Sequence, residues 1–168
     1  QYLIDGFIDA CGEKSELHLV LCGQGPDRDF LLSRYGSVEN IHFLPQLDRS
    51  VLRKLMKRAL CLVNPAVPSE EFTKYFFPSK IIEYLSIGVT VISYRLLCIP
   101  QEYWPFFIEI PNHGGSKPRR TEICTAILKV FNLSESDRYT LATQGVAFIR
   151  KNKSAQAWAS KLNVWLGS

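Results

Sequence analysis

The sequence predicts an α/β fold: an open parallel sheet with helices on both faces, ending in a helical tail. Three observations carry it. Short apolar runs at 17–22, 41–44, 60–64 and 89–94 alternate with segments of helical period over the first 110 residues. The first and third runs stop at Gly23 and Pro65, as strands feeding tight connections do. From Arg119 onward three helical stripes follow one another with no strand between them. Alternation of this kind implies right-handed crossovers and therefore parallel strands.

The elements follow in order. Leu3, Ile4, Phe7, Ile8 and Cys11 form a helical stripe already under way at the first residue. Because Gln1 is no initiator, the chain is expected to come from something longer, with an upstream strand or a whole partner domain ahead of this helix. A strand over 17–22 runs into Gly23-Gln24-Gly25-Pro26, and Asp27 is expected to cap a helix reaching about Tyr35. Ile41 to Leu44 is the second strand. Val51, Leu52, Leu55, Met56 and Ala59 mark the helix behind it, and Leu60 to Asn64 the third strand. A polar, proline-containing loop leads to a helix over 78–88, a fourth strand over 89–94 and a fifth over 106–110. The tail (119–168) carries stripes at Ile123, Ala126, Ile127, Val130 and Phe131, then at 141–149, then at Trp158, Leu162, Trp165 and Leu166. The whole chain, 1–168, reads as a single domain of one ligand-binding unit.

Composition narrows the function. A chain of 168 residues can bury roughly 70% of its unfolded surface without staples. Its five cysteines, Cys11, Cys22, Cys61, Cys98 and Cys124, sit mostly in apolar runs with no C-x-x-C pair. They read as buried reduced thiols, which points to the cytoplasm and to no metal or disulfide framework. A net charge of +4 is too small to argue for nucleic acid. Basic clusters occur at Arg49, Arg53, Lys54, Lys57 and Arg58, at Lys117, Arg119 and Arg120, and at Arg150, Lys151 and Lys153. Two readings stand: solvated faces, or peripheral contact with the anionic inner face of a membrane.

The densest signal is Phe77-Pro78-Ser79-Lys80-Ile81-Ile82-Glu83-Tyr84-Leu85-Ser86-Ile87-Gly88. Pro78 suits the first helical position, where its missing N–H goes unneeded, and Gly88 supplies a left-handed stop. At 100° per residue Ile81, Ile82 and Leu85 share one face, and Lys80 and Glu83 the other. Free N–H groups at Ser79 and Lys80 add to the lysine's charge, which suits phosphate oxygens, and Glu83 can accept from hydroxyls. The plainer reading is an amphipathic helix with an i,i+3 surface ion pair contributing about 0.2–0.5 kcal/mol.

The turn at Gly23 and Gly25 begins like a dinucleotide fingerprint, but Arg28 stands where the third small residue belongs. Pro26 stiffens the lead into the next helix, so the turn reads either as a ligand approach or simply as a tight strand-to-helix connection. Asp27-Arg28-Asp29 matches a D-x-D metal pair only literally, since Asp27 is spoken for as a cap.

Four blocks taken together, Leu-Val-Leu-Cys-Gly-Gln-Gly-Pro (19–26), Ile-His-Phe-Leu-Pro (41–45), Cys-Leu-Val-Asn-Pro (61–65) and Pro-Ser-Lys-Ile-Ile-Glu-Tyr-Leu-Ser-Ile-Gly-Val-Thr-Val-Ile (78–92), resemble the donor-binding half of a GT-B glycosyltransferase. The family is the large retaining one called group 1 or GT4, and the resemblance spans roughly residues 1–150. It implies a Rossmann-like domain that holds a nucleotide-diphosphate sugar. By the resemblance, Glu83 matches the second glutamate of the E-x7-E motif, which takes the ribose hydroxyls. Pro78, Ser79 and Lys80 fall at the helix start that meets the pyrophosphate, with Lys80 stabilising the leaving group, and Pro26 and Phe77 are expected to touch the donor as well. Gly23 and Gly25 match the turn beside the donor, and Leu44, Pro45 and Leu47 the loop that borders the base. Tyr75 stands where the motif's first glutamate meets the sugar, and Thr90 where many members have proline. A subset of bacterial members shares the Pro-Ser-Lys-x-x-Glu-Tyr block without that first acid, and many of those build surface polysaccharide.

The chemistry the resemblance implies is glycosyl transfer from a nucleotide sugar to an acceptor hydroxyl, retaining and without metal or other cofactor. The acceptor, a sugar or a lipid-linked sugar, is expected to be bound by an amino-terminal domain, so this chain alone is expected to bind donor and turn over poorly. Two alternatives stand beside it. One is a non-catalytic GT-B-like scaffold, favoured by Tyr75. The other is a nucleotide-sugar epimerase of the same architecture, disfavoured because His18, His42 and His113 do not cluster along the sequence.

Overall fold

The computed structural model describes residues 1–68, 70–111 and 119–167. Its elements are α1 (Tyr2–Glu13), β1 (Leu19–Cys22), α2 (Arg28–Tyr35), β2 (Ile41–Leu44), α3 (Arg49–Lys57), β3 (Cys61–Asn64), α4 (Lys80–Ile87), β4 (Thr90–Tyr94), β5 (Phe107–Ile110), α5 (Arg120–Asn132), α6 (Glu135–Lys153) and α7 (Ala155–Leu166). Short 3-10 turns cover Glu71–Lys74 and Gln101–Phe106.

Every strand pairing is parallel. β1 pairs with β2, Leu19 opposite Ile41 and Cys22 opposite Leu44. β4 lies between β3 and β5, with Cys61 opposite Thr90 and Val91 opposite Phe107. The expected single sheet is therefore in two parts, β1–β2 and β3–β4–β5. β4 is the centre of the second part, and all five of its residues are buried, as a parallel strand covered on both faces should be.

The helices divide between two faces. On one, Ile4, Phe7 and Ala10 of α1 pack against Ile123, Ile127 and Val130 of α5, and the Tyr35 hydroxyl at the end of α2 donates to Asp5 of α1 at 2.6 Å. Gly6 permits the close approach: a Cβ there would lie 2.6 Å from Ile123 Cβ. On the other face α3 packs on α4, and α4 on α6. Ile81 and Leu85, four residues apart, are both buried, Leu85 beside Gly145 of α6, each contributing about 1.5–3 kcal/mol by leaving water.

Several expectations need correction. Asp27 stands at the start of α2, but its side chain makes no capping hydrogen bond; the turn is closed by backbone instead, Arg28 N–H to Gly25 O at 3.1 Å. Pro78 is not the first residue of α4, which starts at Lys80. The Pro78 carbonyl accepts from Ile81 N–H at 2.9 Å, so proline opens a tighter turn ahead of the helix proper. Cys22 is exposed and Cys11, Cys61 and Cys98 are half-buried, leaving only Cys124 buried. Three residues of the stripe on α7 are exposed, Trp165 at 78% and Trp158 and Leu162 with it. His18 and His42, far apart in sequence, stack with ring centroids 5.1 Å apart and Nδ1 to Nε2 at 2.9 Å. The register explains it, since Val20 faces His42 and His18 lies two residues back on the same side. His113, and Lys117 of the middle basic cluster, lie outside the described residues.

The basic clusters differ in their bonding. All five cations of the 49–58 cluster are exposed, and none forms an ion pair among the described residues. Arg120 pairs with Asp9, and Lys153 reaches Glu102 at 2.5 Å. No helix among the described residues is long and apolar enough to cross a membrane.

Candidate functional site

The site is built on α4. Burial of Ile81 and Leu85 fixes the rotation of the helix, which leaves Lys80 exposed and Glu83 half-buried on the free side. Gly88 ends it at φ 80°, a left-handed conformation that costs glycine little. Lys80 and Glu83 form no ion pair among the described residues, so the ion pair of the plainer reading is absent, while its amphipathic helix is present. Burial and then the neighbouring Glu83 carboxylate push the Tyr84 hydroxyl up from its ordinary value.

The loop between β3 and α4 shapes a cavity in front of that helix start. The Thr73 hydroxyl sits within 3.1 Å of Val67 O and 2.6 Å of Glu70 O, which ties the loop to itself. Phe77 packs on Tyr103 with centroids 5.3 Å apart, and Tyr103 meets Phe148 edge-on at 5.0 Å, so the loop's end is anchored to α6. The result is a cavity of about 260 Å³ lined by Ala66, Thr73, Phe76, Phe77, Pro78, Ser79, Lys80 and Leu96. Ala66 and Leu96 lie just beyond the carboxyl ends of β3 and β4, where open α/β sheets take their ligands.

Beneath it, Asn64 and Ser93 form a buried polar chain. Asn64 Nδ2 donates to Ser93 Oγ at 3.1 Å, and that hydroxyl donates to Tyr94 O at 3.0 Å. Both side chains are buried, so the chain fixes the spacing of the two strand ends.

Of the residues expected at the site, Phe77, Pro78, Ser79 and Lys80 line this cavity; Tyr75 and Glu83 do not. Tyr75 is exposed in the same loop, and its neighbour Phe76, 71% exposed, lines the cavity along with Phe77. A second group gathers at the ends of β1 and β2. Gly23, at φ 125°, donates its N–H to Leu44 O at 3.4 Å, and Cys22 Sγ donates to Pro45 O at 3.2 Å. Arg28 binds both sides, its Nη1 reaching Gly23 O at 3.2 Å and Leu44 O at 3.1 Å. That explains a large residue where a phosphate fingerprint needs a small one: here it stitches two strand ends. Gly25, Pro26 and Pro45 are exposed and Leu47 is half-buried.

A larger groove, about 710 Å³, lies at the opposite edge, lined among others by Lys57, Arg58, Thr90, Arg138 and Tyr139. It is the weaker site despite its size. Its Arg138 is turned onto the carbonyls of Val130 and Leu133, and it borders the amino end of β4, away from the ligand edge.

A Rossmann-like half domain, with parallel strands, helices on both faces and a cationic helix start at the ligand edge, is thus the class defined by fold and site. Residues 1–103 match the family model described as glycosyl transferases group 1, and the chain belongs to that family. The match covers α1 to the turn after β4 and excludes the helical tail. No curated protein matches the chain.

Proposed function

We propose that the chain is the donor-binding part of a retaining glycosyltransferase, and that the diphosphate of a nucleotide sugar sits at the start of α4. The single observation that carries this reading is the open cavity in front of Ser79 and Lys80, with an unpaired lysine on its rim. A departing nucleoside diphosphate develops negative charge, and oriented N–H groups with a lysine stabilise it without a protein nucleophile. Glu83, one turn further along the same free face, takes the ribose hydroxyls, while Phe76 and Phe77 offer apolar faces to the rest of the donor. The resemblance of the Pro-Ser-Lys-x-x-Glu-Tyr block to bacterial members favours a role in surface polysaccharide assembly, with a sugar or lipid-linked sugar as acceptor.

The test is a thermal-shift panel of UDP, GDP, CMP, ADP and their sugars. A ligand at 100 times its dissociation constant adds about 2.7 kcal/mol of stability. At least one nucleoside diphosphate should raise Tm, and the rise should vanish in Lys80→Ala and Glu83→Ala. A hit that survives both substitutions removes the ligand from α4.

A further inference from the structure

We infer that α3 is a docking face for an anionic lipid surface. Arg49, Arg53, Lys54 and Lys57 of this helix and Arg58 at its end are all exposed, and none has an ion-pair partner among the described residues. The helix itself contains no acid. At 100° per residue these cations and Ser50 take one half of the circumference, and Val51, Leu52, Leu55 and Met56 take the other. Met56 and Leu52 pack with Leu62, Ile87 and Val89, so the cationic half turns outward.

Contacts within the chain do not account for this arrangement. Arg49 and Arg53, Arg53 and Lys57, and Lys54 and Arg58 are like-charge pairs four residues apart, each of which weakens a helix. Lys57 and Arg58 suit the carboxyl end of the helix dipole, but Arg49 stands at the amino end, where the dipole repels a cation. An anionic surface outside the molecule relieves both costs. The other basic clusters are partly neutralised from within, Arg120 by Asp9 and Lys153 by Glu102. The net charge of +4 is smaller than the charge gathered on α3, so the rest of the molecule is net negative and the positive field belongs to this one helix.

The residues flanking the cations favour a bilayer over nucleic acid. Val51, 48% exposed, borders the cationic half, and Tyr139, 71% exposed, stands with Lys57 and Arg58 in the larger groove. An apolar side chain and a tyrosine gain by entering the headgroup boundary of a membrane, and gain nothing from a line of phosphates. In the groove Glu135 opposes the cations and Arg138 is committed to carbonyls, so the groove is the rim of the docking face rather than a phosphate pocket. α3 follows the carboxyl end of β2, which puts Arg49 at the ligand edge and Lys57 at the far edge. A membrane laid along α3 therefore runs past the ligand edge and leaves it open.

The test is sedimentation of the chain with vesicles of phosphatidylcholine alone, or of two parts phosphatidylcholine to one part phosphatidylglycerol. The chain should bind the mixed vesicles and not the neutral ones. Binding should fall at least about tenfold between about 0.1 M and about 1 M salt, as the screening length shortens from about 10 Å to about 3 Å. Each Lys or Arg at such a surface strengthens partition about fivefold, so Arg53→Gln with Lys57→Gln should weaken binding about 30-fold. Arg150→Gln with Lys151→Gln removes equal charge from exposed positions of α6 and should weaken it less than about threefold. The first pair of substitutions deletes a repulsion, so its urea midpoint should be no lower than the parent's, which separates lost binding from lost folding. Four results overturn the inference: no binding to the mixed vesicles at the lower salt, equal binding to the neutral ones, equal losses from the two double variants, or displacement from the mixed vesicles by a DNA duplex at equal phosphate concentration, which gives the face to nucleic acid. None of these readouts needs a nucleotide, so the docking face and the site on α4 stand or fall separately.

Discussion

The side-chain amide of Asn64 donates to the Ser93 hydroxyl at 3.1 Å, joining the carboxyl ends of β3 and β4 where both residues are shielded from water. The same hydroxyl donates onward to Tyr94 O, and Ala66 and Leu96, two residues past each strand end, line the cavity. Asn64→Ala strands the Ser93 oxygen without its donor and opens space beside it. A buried group left unsatisfied costs about 1–3 kcal/mol, and urea denaturation should show a loss of that size. Ser93→Ala should cost about as much, and the double variant less than the sum, because the two act on one chain of bonds.

The contact of α1 with α5 gives a prediction with opposite signs at two glycines of one helix. At Gly6 a Cβ would press on Ile123 Cβ at 2.6 Å and Arg120 O at 2.8 Å, whereas at Gly12 nothing lies within 4 Å. Alanine is the better helix former by about 0.8–1.0 kcal/mol, but overpacking costs about 1–3 kcal/mol. Gly6→Ala should therefore destabilise the chain and Gly12→Ala should stabilise it by up to about 1 kcal/mol. Equal midpoints in urea for the two variants would show that α1 and α5 are not held at this distance.

Tyr94 is buried, and its hydroxyl has no hydrogen-bond partner among the described residues. Burial, and then the Glu122 carboxylate, push its ionisation well up; burial and the bond to Asp5 raise Tyr35 as well. Both groups are raised in the folded chain, so their contribution is complete below the unfolded value of about 10 and is lost as pH climbs through the folded values, because the unfolded chain releases those protons first. Burial also pushes up the thiols of Cys61, Cys98 and Cys124, so stability should begin to fall above their unfolded value of about 8.5 and fall more steeply once the tyrosine range, from about 10, is reached. Tyr94→Phe should reduce the alkaline fall and, since it deletes an unpaired polar group, gain about 1 kcal/mol at neutral pH. Denaturation midpoints between pH 7 and 11 check both parts.

What the sequence made legible was what period and backbone chemistry determine. The spacing of Ile81 and Leu85 set the rotation of α4, and Gly88 marked its end, because burial and a positive φ each leave a signature in one or two residues. Parallel pairing followed from alternation alone. What stayed hidden depends on residues distant in sequence. His18 and His42 meet only through the β1–β2 register, and Tyr75-Phe76-Phe77 offers three rings in a row without indicating that the last two, and not the first, line the cavity. Arg28 was readable as an obstacle to a phosphate turn but not as the bridge to Leu44, since its partner belongs to another strand. The exposure of Trp158 and Trp165 was equally invisible: a helical stripe states that a face is apolar, not that anything in the same chain covers it.

The role given to Lys80 is the sharpest test of the site. It stands on an exposed rim, so its attraction for phosphate is screened by salt, yet at close range a charged hydrogen bond contributes about 1.5–3 kcal/mol. For whichever nucleoside diphosphate the thermal panel identifies, Lys80→Ala should weaken binding about 10- to 150-fold, as that free energy converts at 1.4 kcal/mol per decade. Lys80→Arg keeps the charge and should recover much of the affinity. Because the side chain is free of ion pairs in the described structure, its removal should leave unfolding in urea within about 0.5 kcal/mol of the parent. Calorimetric titration at two salt concentrations separates the outcomes: parent affinity should fall as salt rises, and the alanine variant should lose most of that dependence. A variant whose affinity and salt response both match the parent would place the diphosphate away from the start of α4.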